Sequence, residues 1–163
     1  MRENLVLIGM PGCGKSTCGV LAAKGRCVDF IDTDLLIQKR EGMALQSIIN
    51  ERGGNYFAKV EEEVLCGVED ENTVIATGGS AVYSEKAMAH LRERGKIVYL
   101  KISLPEMLSR VQNITTRGIL RSEGETLEDL YKRRIALYEK YADTTIDCDG
   151  KTVEDVVAHL CEL

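Results

Sequence analysis

Short runs of apolar residues alternate along the chain with longer segments in which apolar and polar residues follow a helical period. The five apolar runs are Leu5–Ile8, Cys27–Ile31, Thr73–Ala76, Lys96–Ile102 and Thr144–Cys148. Runs of this length and composition are typical of strands that are covered on both faces. Strands alternating with helices predict an α/β fold, in which one domain spanning residues 1–163 has three layers and a five-stranded parallel sheet flanked by helices.

The segments between the apolar runs predict helices. These span Gly14–Lys24, Leu35–Arg40, Met43–Glu51, Tyr56–Glu69, 84–94, 103–112, Thr126–Tyr141 and Thr152–Cys161. Gly25 is expected to end the first helix and Asp34 to cap the second, while Ser103 and Glu106 match a capping box. Residues 113–125 follow neither a helical nor a strand period, which predicts a mobile loop.

The composition restricts the classes of partner. The chain has 163 residues, of which 29% are charged, and a formal net charge of −5. An acidic protein without a long basic run is a poor partner for nucleic acid or for an acidic membrane surface. No apolar segment reaches the roughly 18 residues that span a bilayer, and no signal peptide precedes the first strand. We therefore expect a cytoplasmic protein, and we expect it to act as a monomer.

A glycine-rich motif follows the first strand directly. Gly9, Gly14, Lys15 and Ser16 match the pattern G-x-x-x-x-G-K-[ST]. In such a loop, backbone N–H groups surround a phosphate, the lysine supplies a positive charge, and the serine hydroxyl suits Mg²⁺. The helix that begins here directs its positive end at the same anion. The motif predicts an ATP site formed by Gly12, Cys13, Gly14, Lys15, Ser16 and Thr17.

The six cysteines of the chain include no C-x-x-C pair, so we expect reduced and mostly buried thiols. Cys13 lies near a helix N-terminus, a position that makes a thiol more reactive. We favour the simpler interpretation that Cys13 is a small residue at a variable position of the loop.

Two acidic residues, Asp32 and Asp34, follow the second strand. In open α/β sheets, ligands bind at the carboxyl ends of the strands. One acid is expected to hold Mg²⁺ and the other to take a proton from a substrate hydroxyl, although Asp34 alternatively serves only as a helix cap. Phosphoryl transfer also requires cations near the γ-phosphate. The candidate arginines are Arg110, Arg117, Arg121, Arg133 and Arg134.

Taken in order, these motifs resemble the shikimate kinase family, whose phosphate-loop fold is like that of nucleoside monophosphate kinases. The matching positions are the glycine-rich loop, Asp32-Thr-Asp34, Phe57 with Glu61, Ala-Thr-Gly78-Gly79, Arg117, and Arg134 ahead of Leu137-Tyr138. The resemblance covers almost the whole chain and implies transfer of the γ-phosphate of ATP to shikimate, within aromatic amino-acid biosynthesis. It also implies a substrate-binding region at about 33–60 and a lid at about 113–125.

The resemblance further implies roles for individual residues. Asp34 would orient or deprotonate the substrate hydroxyl, and Lys15 and Arg117 would hold the transferring phosphate. Arg110 would lie against the adenine of ATP, and Ser16 and Asp32 would serve Mg²⁺. The substrate would be bound by Asp34, Gly78, Gly79, Ser80 and Arg134.

The chain departs from the family pattern at Ala58, Ser80 and Gly118. The family has an arginine at the first of these positions, paired with the substrate carboxylate, and its loss predicts roughly 10–100-fold weaker binding. The same change leaves Glu61, one helical turn along, without that partner, so a free carboxylate is expected in the pocket.

Alternatives to shikimate kinase activity therefore remain at this point. One is a related kinase of another hydroxy acid, such as homoserine, whose ammonium group would suit a free Glu61. Another is a nucleotide-binding protein without transfer activity. The chain has no N-K-x-D motif of a GTPase, and the presence of Asp34, Lys15 and Arg117 favours catalysis.

Overall fold

A five-stranded parallel sheet forms the centre of the fold. The computed structural model describes residues 3–111 and 119–163. The strands are β1 (Asn4–Ile8), β2 (Asp29–Asp32), β3 (Thr73–Ala76), β4 (Gly95–Lys101) and β5 (Thr144–Asp147). Their order in the sheet is β2-β3-β1-β4-β5, and every pairing is parallel. The predicted fold class is confirmed.

Eight α-helices flank this sheet in the described part of the chain. They are α1 (Lys15–Arg26), α2 (Thr33–Glu41), α3 (Leu45–Arg52), α4 (Gly54–Cys66), α5 (Glu85–Arg94), α6 (Leu104–Arg110), α7 (Leu127–Tyr141) and α8 (Val153–Glu162). A 3₁₀ turn, Ala81–Tyr83, lies between β3 and α5. Among the described residues, none of these helices combines the length and the apolarity that crossing a membrane requires.

Two apolar clusters hold the layers together. The larger one surrounds β1, whose residues Leu5–Ile8 are almost fully buried, as expected for a central parallel strand. The smaller one joins α2, α3 and α4 through Ile37, Leu45, Ile48, Phe57 and Val60. The second cluster fixes α2 and α4 beside the carboxyl ends of β2 and β3, which is where the candidate site lies.

The first helix and the second strand differ from the prediction. Gly25 does not end α1, which continues to Arg26 and stops where Cys27 adopts a left-handed conformation with φ of 56°. Gly25 instead allows close packing, because a Cβ there would lie 2.8 Å from the Sγ atom of Cys161. The second strand starts at Asp29, two residues later than predicted, and ends at Asp32, one residue later.

Two helix caps also differ from the prediction. Asp32, not Asp34, caps α2, because its Oδ1 atom accepts a hydrogen bond from the backbone N–H of Asp34 at 2.9 Å. Ser103 caps α6 as predicted, but only half of the capping box forms. The backbone N–H of Ser103 donates to Asp149, and the carboxylate of Glu106 pairs with Arg110 instead.

Candidate active site

The phosphate loop connects β1 to α1 and takes its shape from glycine. Gly14, the residue before α1, has a φ of 100°, a conformation that side chains other than glycine rarely adopt. The ammonium group of Lys15 donates to the carbonyl oxygens of Gly9 at 2.6 Å and Met10 at 3.0 Å. The lysine charge is thus held at the loop, next to the helix N-terminus that favours an anion.

Ser16 and Asp32 meet beside this loop. The Ser16 hydroxyl donates to the Oδ2 atom of Asp32 at 2.8 Å. A hydroxyl and a carboxylate are the oxygen ligands that Mg²⁺ takes, with phosphates and water completing its shell. No group of three or more metal-binding side chains occurs in the described ranges.

A cavity of about 240 Å³, here called the central cavity, opens next to the phosphate loop. It is lined by the loop, the start of α1, Asp34, Phe57 and Glu61 from α4, the turn Thr77–Ser80 after β3, Ile119, Leu120 and Arg134. Of the predicted site residues, the central cavity brings together Gly12, Gly14, Lys15, Ser16, Thr17, Asp34, Gly78, Gly79, Ser80 and Arg134.

Arg134 on α7 brings a buried positive charge to the central cavity. The residue is only 1% exposed, and its Nε atom donates to the hydroxyl of Tyr83 at 3.1 Å. Another guanidinium nitrogen donates to the carbonyl of Leu120. A Cβ on Gly79 would lie 2.6 Å from the Nη1 atom of Arg134, so only glycine leaves space for the guanidinium there. The fixed fork is suited to a carboxylate.

Two tyrosines support this arrangement, and the sequence analysis assigned them no role. Tyr83 accepts the hydrogen bond from Arg134, and the hydroxyl of Tyr138 donates to the carbonyl of Gly79 at 2.6 Å. Tyr138 follows Arg134 by four positions and therefore lies on the same face of α7. That spacing indicates that Tyr138 lies near Arg134, but it does not indicate the contact with Gly79.

Asp34 lies between the phosphate loop and the turn after β3. A Cβ on Gly78 would lie 2.6 Å from its Oδ1 atom, so the carboxylate approaches the glycine closely. Burial, with Asp32 nearby, raises the pKa of Asp34 to about 6. A raised pKa brings the carboxylate closer to the range in which a general base works best at neutral pH.

Glu61 on α4 is buried beside the same turn. Its Oε1 atom accepts a hydrogen bond from the hydroxyl of Ser80 at 2.6 Å. The sequence analysis predicted a free carboxylate, but one of its oxygens is bound by Ser80. The Oε2 atom has no hydrogen-bond partner among the described residues. Burial raises the pKa of Glu61 to about 7. Ser80, one of the departures from the family pattern, thus supplies a partner that the sequence did not reveal.

Replacing Glu61 with glutamine is expected to change how stability depends on pH. The folded-state pKa of Glu61 is raised from 4.5 to about 7, so the free energy of unfolding falls as pH rises through this window. Between pH 5 and 8 this loss amounts to about 2–3 kcal/mol, and the neutral glutamine avoids it. Urea denaturation of both proteins at several pH values measures the difference. Parallel pH profiles would contradict a buried, titrating Glu61.

Ala58 precedes Glu61 by three positions and lines a second cavity of about 240 Å³, here called the side cavity. The side cavity shares Glu61, Ser80 and Leu120 with the central cavity. Lys59 lies on its rim and is exposed. The alanine therefore leaves space next to the central cavity for a larger side chain at this position.

Three of the described site residues do not line the central cavity, namely Cys13, Asp32 and Arg110. Cys13 is 2% exposed and points into the protein, which does not fit a reactive surface thiol. Arg110 donates to the carbonyl of Gly12 at 3.2 Å, on the outer side of the phosphate loop. Arg117 and Gly118 lie outside the described residues, so the predicted lid at 113–125 is described only from residue 119 onward.

Comparison with known proteins identifies relatives of this chain. The family model of shikimate kinase matches residues 11–163. The shikimate kinase of Francisella tularensis subsp. novicida is 37% identical over 159 residues, which cover 95% of this chain and 90% of that protein.

Two solved structures resemble the whole fold. The shikimate kinase of Acinetobacter baumannii in complex with shikimate has a TM-score of 0.91 and 29% identity, covering 99% of this chain and 92% of that one. The enzyme of Aquifex aeolicus has a TM-score of 0.83 and 34% identity, covering 96% and 93%. Since the family model covers nearly the whole chain and the identity exceeds one third, the chain belongs to the shikimate kinase family.

Proposed function

We propose that the protein transfers the γ-phosphate of ATP to a hydroxyl group of shikimate, with Mg²⁺ bound by Ser16 and Asp32. Its family makes the chain an ATP-dependent phosphotransferase. One observation supports shikimate as the substrate. The central cavity is lined by Asp34, the phosphate loop and the buried Arg134, and this combination of groups suits an alcohol that also bears a carboxylate.

Each functional residue has a separate role in the proposed reaction. Arg134 binds the substrate carboxylate, and Asp34 orients the hydroxyl and accepts its proton. Lys15 turns from the loop carbonyls to the β- and γ-phosphates and stabilises the charge that develops on the transferring group. Bound Mg²⁺ neutralises part of the phosphate charge. Arg110 contacts the adenine of ATP, and Arg117 binds the transferring phosphate.

The alternatives are less well supported. Family membership does not favour homoserine. Ser80 also occupies one oxygen of Glu61, which weakens the argument for an ammonium group in this place. A protein that only binds nucleotide has no need for a carboxylate and a guanidinium arranged around a cavity next to the phosphate loop.

Release of ADP from the purified protein tests the proposal. We expect ADP to accumulate when ATP, Mg²⁺ and shikimate are present, and not when shikimate is replaced by homoserine or left out. Binding of ATP without any shikimate-dependent release of ADP would contradict it. Removal of Mg²⁺ with a chelator is expected to stop the reaction, which tests the metal separately.

Replacing Ala58 with arginine is expected to lower the KM for shikimate by roughly tenfold. The side cavity has space for the new side chain, and one charge-assisted hydrogen bond to the substrate carboxylate accounts for a change of this size. Initial rates at varied shikimate concentration measure the effect. The variant Ala58→Gln, which fills the same space without the charge, serves as the control. An equal improvement in both variants would contradict the role of the charge.

A further inference from the structure

One oxygen of the Glu61 carboxyl group accepts a hydrogen bond, and the other has no partner among the described residues. The side chain is 4% exposed, and its Oε1 atom accepts from Ser80 at 2.6 Å. Its Oε2 atom is buried and has no hydrogen-bond partner among the described residues. A Cβ on Gly78 would lie 2.9 Å from this Oε2 atom, and both Glu61 and Gly78 line the central cavity.

The charges around Glu61 do not compensate a negative carboxylate. Asp34 on α2 is an acid, and Arg134 on α7 acts on Glu61 without a hydrogen bond to it in the described structure. The titratable neighbours at the side cavity are Lys59 and Glu62 of the same helix and Tyr83 of the 3₁₀ turn. Burial and the nearby charge of Asp34 outweigh the favourable effect of Arg134, so the pKa of Glu61 is raised.

Protonation of Glu61 lowers the free-energy cost of burying its Oε2 atom without a hydrogen-bond partner. A buried, ionised carboxylate oxygen without a partner is strongly unfavourable, whereas a protonated carboxyl is neutral and turns that oxygen into a hydrogen-bond donor. Burial accordingly raises the pKa of Glu61 to about 7, while the hydrogen bond from Ser80 lowers it. The neutral and the ionised form therefore exchange near neutral pH.

We propose that Glu61 determines substrate affinity in its protonated form, with Ser80 holding Oε1 and the Oε2–H group donating a hydrogen bond to the substrate in the central cavity. This inference rests on the proposed function, because it takes the substrate to be a carboxylate. Ionised Glu61 has no donor to offer and repels the anionic substrate. Binding of shikimate therefore selects the neutral form and takes up a proton from solution when the pH lies above the pKa of Glu61.

Calorimetric titration of the full chain with shikimate tests this inference. Above pH 7 the Kd for shikimate is expected to rise roughly tenfold per pH unit, since only the neutral fraction binds. At pH 8, titrations in buffers of different ionisation enthalpy should show close to one proton taken up per shikimate bound. Neither effect is expected in Glu61→Gln, and the KM for ATP should be unchanged.

Glu62→Gln is the matched control. Glu62 is the next residue on α4 and lines the side cavity but not the central cavity, so this variant should keep the proton uptake of the original chain. A Kd that does not depend on pH, or proton uptake that persists in Glu61→Gln, would overturn the inference.

Ser80→Ala provides a second test in case Glu61→Gln does not fold. The Ser80 hydroxyl favours the ionised form of Glu61, so its removal should shift the rise in Kd to higher pH, and an unshifted rise would overturn the inference. Failure of the proposed function gives a different result. In that case shikimate does not bind or cause ADP release at any pH, although ATP still binds.

Discussion

Replacing Asp34 with asparagine is expected to lower kcat with shikimate by about 10²–10⁴-fold, the usual contribution of a positioned general base. The carboxylate lines the central cavity next to the phosphate loop and has a raised pKa, whereas an amide accepts no proton. Asparagine has nearly the same shape. The α2 cap should also survive, because it uses the side chain of Asp32 and only the backbone N–H of Asp34.

Asp29→Asn is the matched control for this experiment. Asp29 is the first residue of β2, at the amino end of the strand and exposed, so its variant should keep the original kcat. Steady-state kinetics with both substrates varied, together with thermal unfolding, separates a loss of catalysis from a loss of folding. A kcat for Asp34→Asn within about threefold of the original would exclude Asp34 as the base.

Much of the fold was predictable because its signals are local. The strand Thr73–Ala76 matches the prediction at both ends, and Thr152 with Asp155 forms the capping box that their spacing indicates. The phosphate loop was likewise predictable, since its lysine and glycines occur within eight consecutive residues, between a buried strand and a helix. In the helix cap and the phosphate loop, neighbours in sequence are also the partners in space, whereas the strand was predictable from its apolar run alone.

The contacts that were missed join distant parts of the chain. Ser80 and Glu61 are 19 residues apart, and Tyr138 and Gly79 are 59 apart, so no local pattern indicates that they meet.

The wrong prediction of Asp34 as the cap of α2, where the structure has Asp32, has a different cause. Both acids are equally good caps, and the choice depends on how far β2 extends along β3, which pairing within the sheet decides.

Replacing Arg134 with methionine is expected to raise the KM for shikimate by about 100-fold or more. Removing one member of a buried, hydrogen-bonded charge pair typically costs 2–5 kcal/mol of binding free energy, and this arginine is almost fully buried at the central cavity. Within the described residues, Lys15 is the only other basic side chain that lines this cavity, and it is bound to the phosphate loop. The KM for ATP should therefore change little.

Two further variants decide whether the guanidinium acts through its charge and its geometry. Arg133 is the neighbouring residue on α7, yet it pairs with Glu125 at 2.8 Å and does not line the central cavity, so Arg133→Met should leave the KM for shikimate within about twofold of the original. Arg134→Lys keeps the charge but loses the fork that binds a carboxylate through two hydrogen bonds, so its KM should lie between those of the original and Arg134→Met. If Arg134→Met and Arg133→Met raise the KM equally, the carboxylate of the substrate is bound elsewhere than at Arg134.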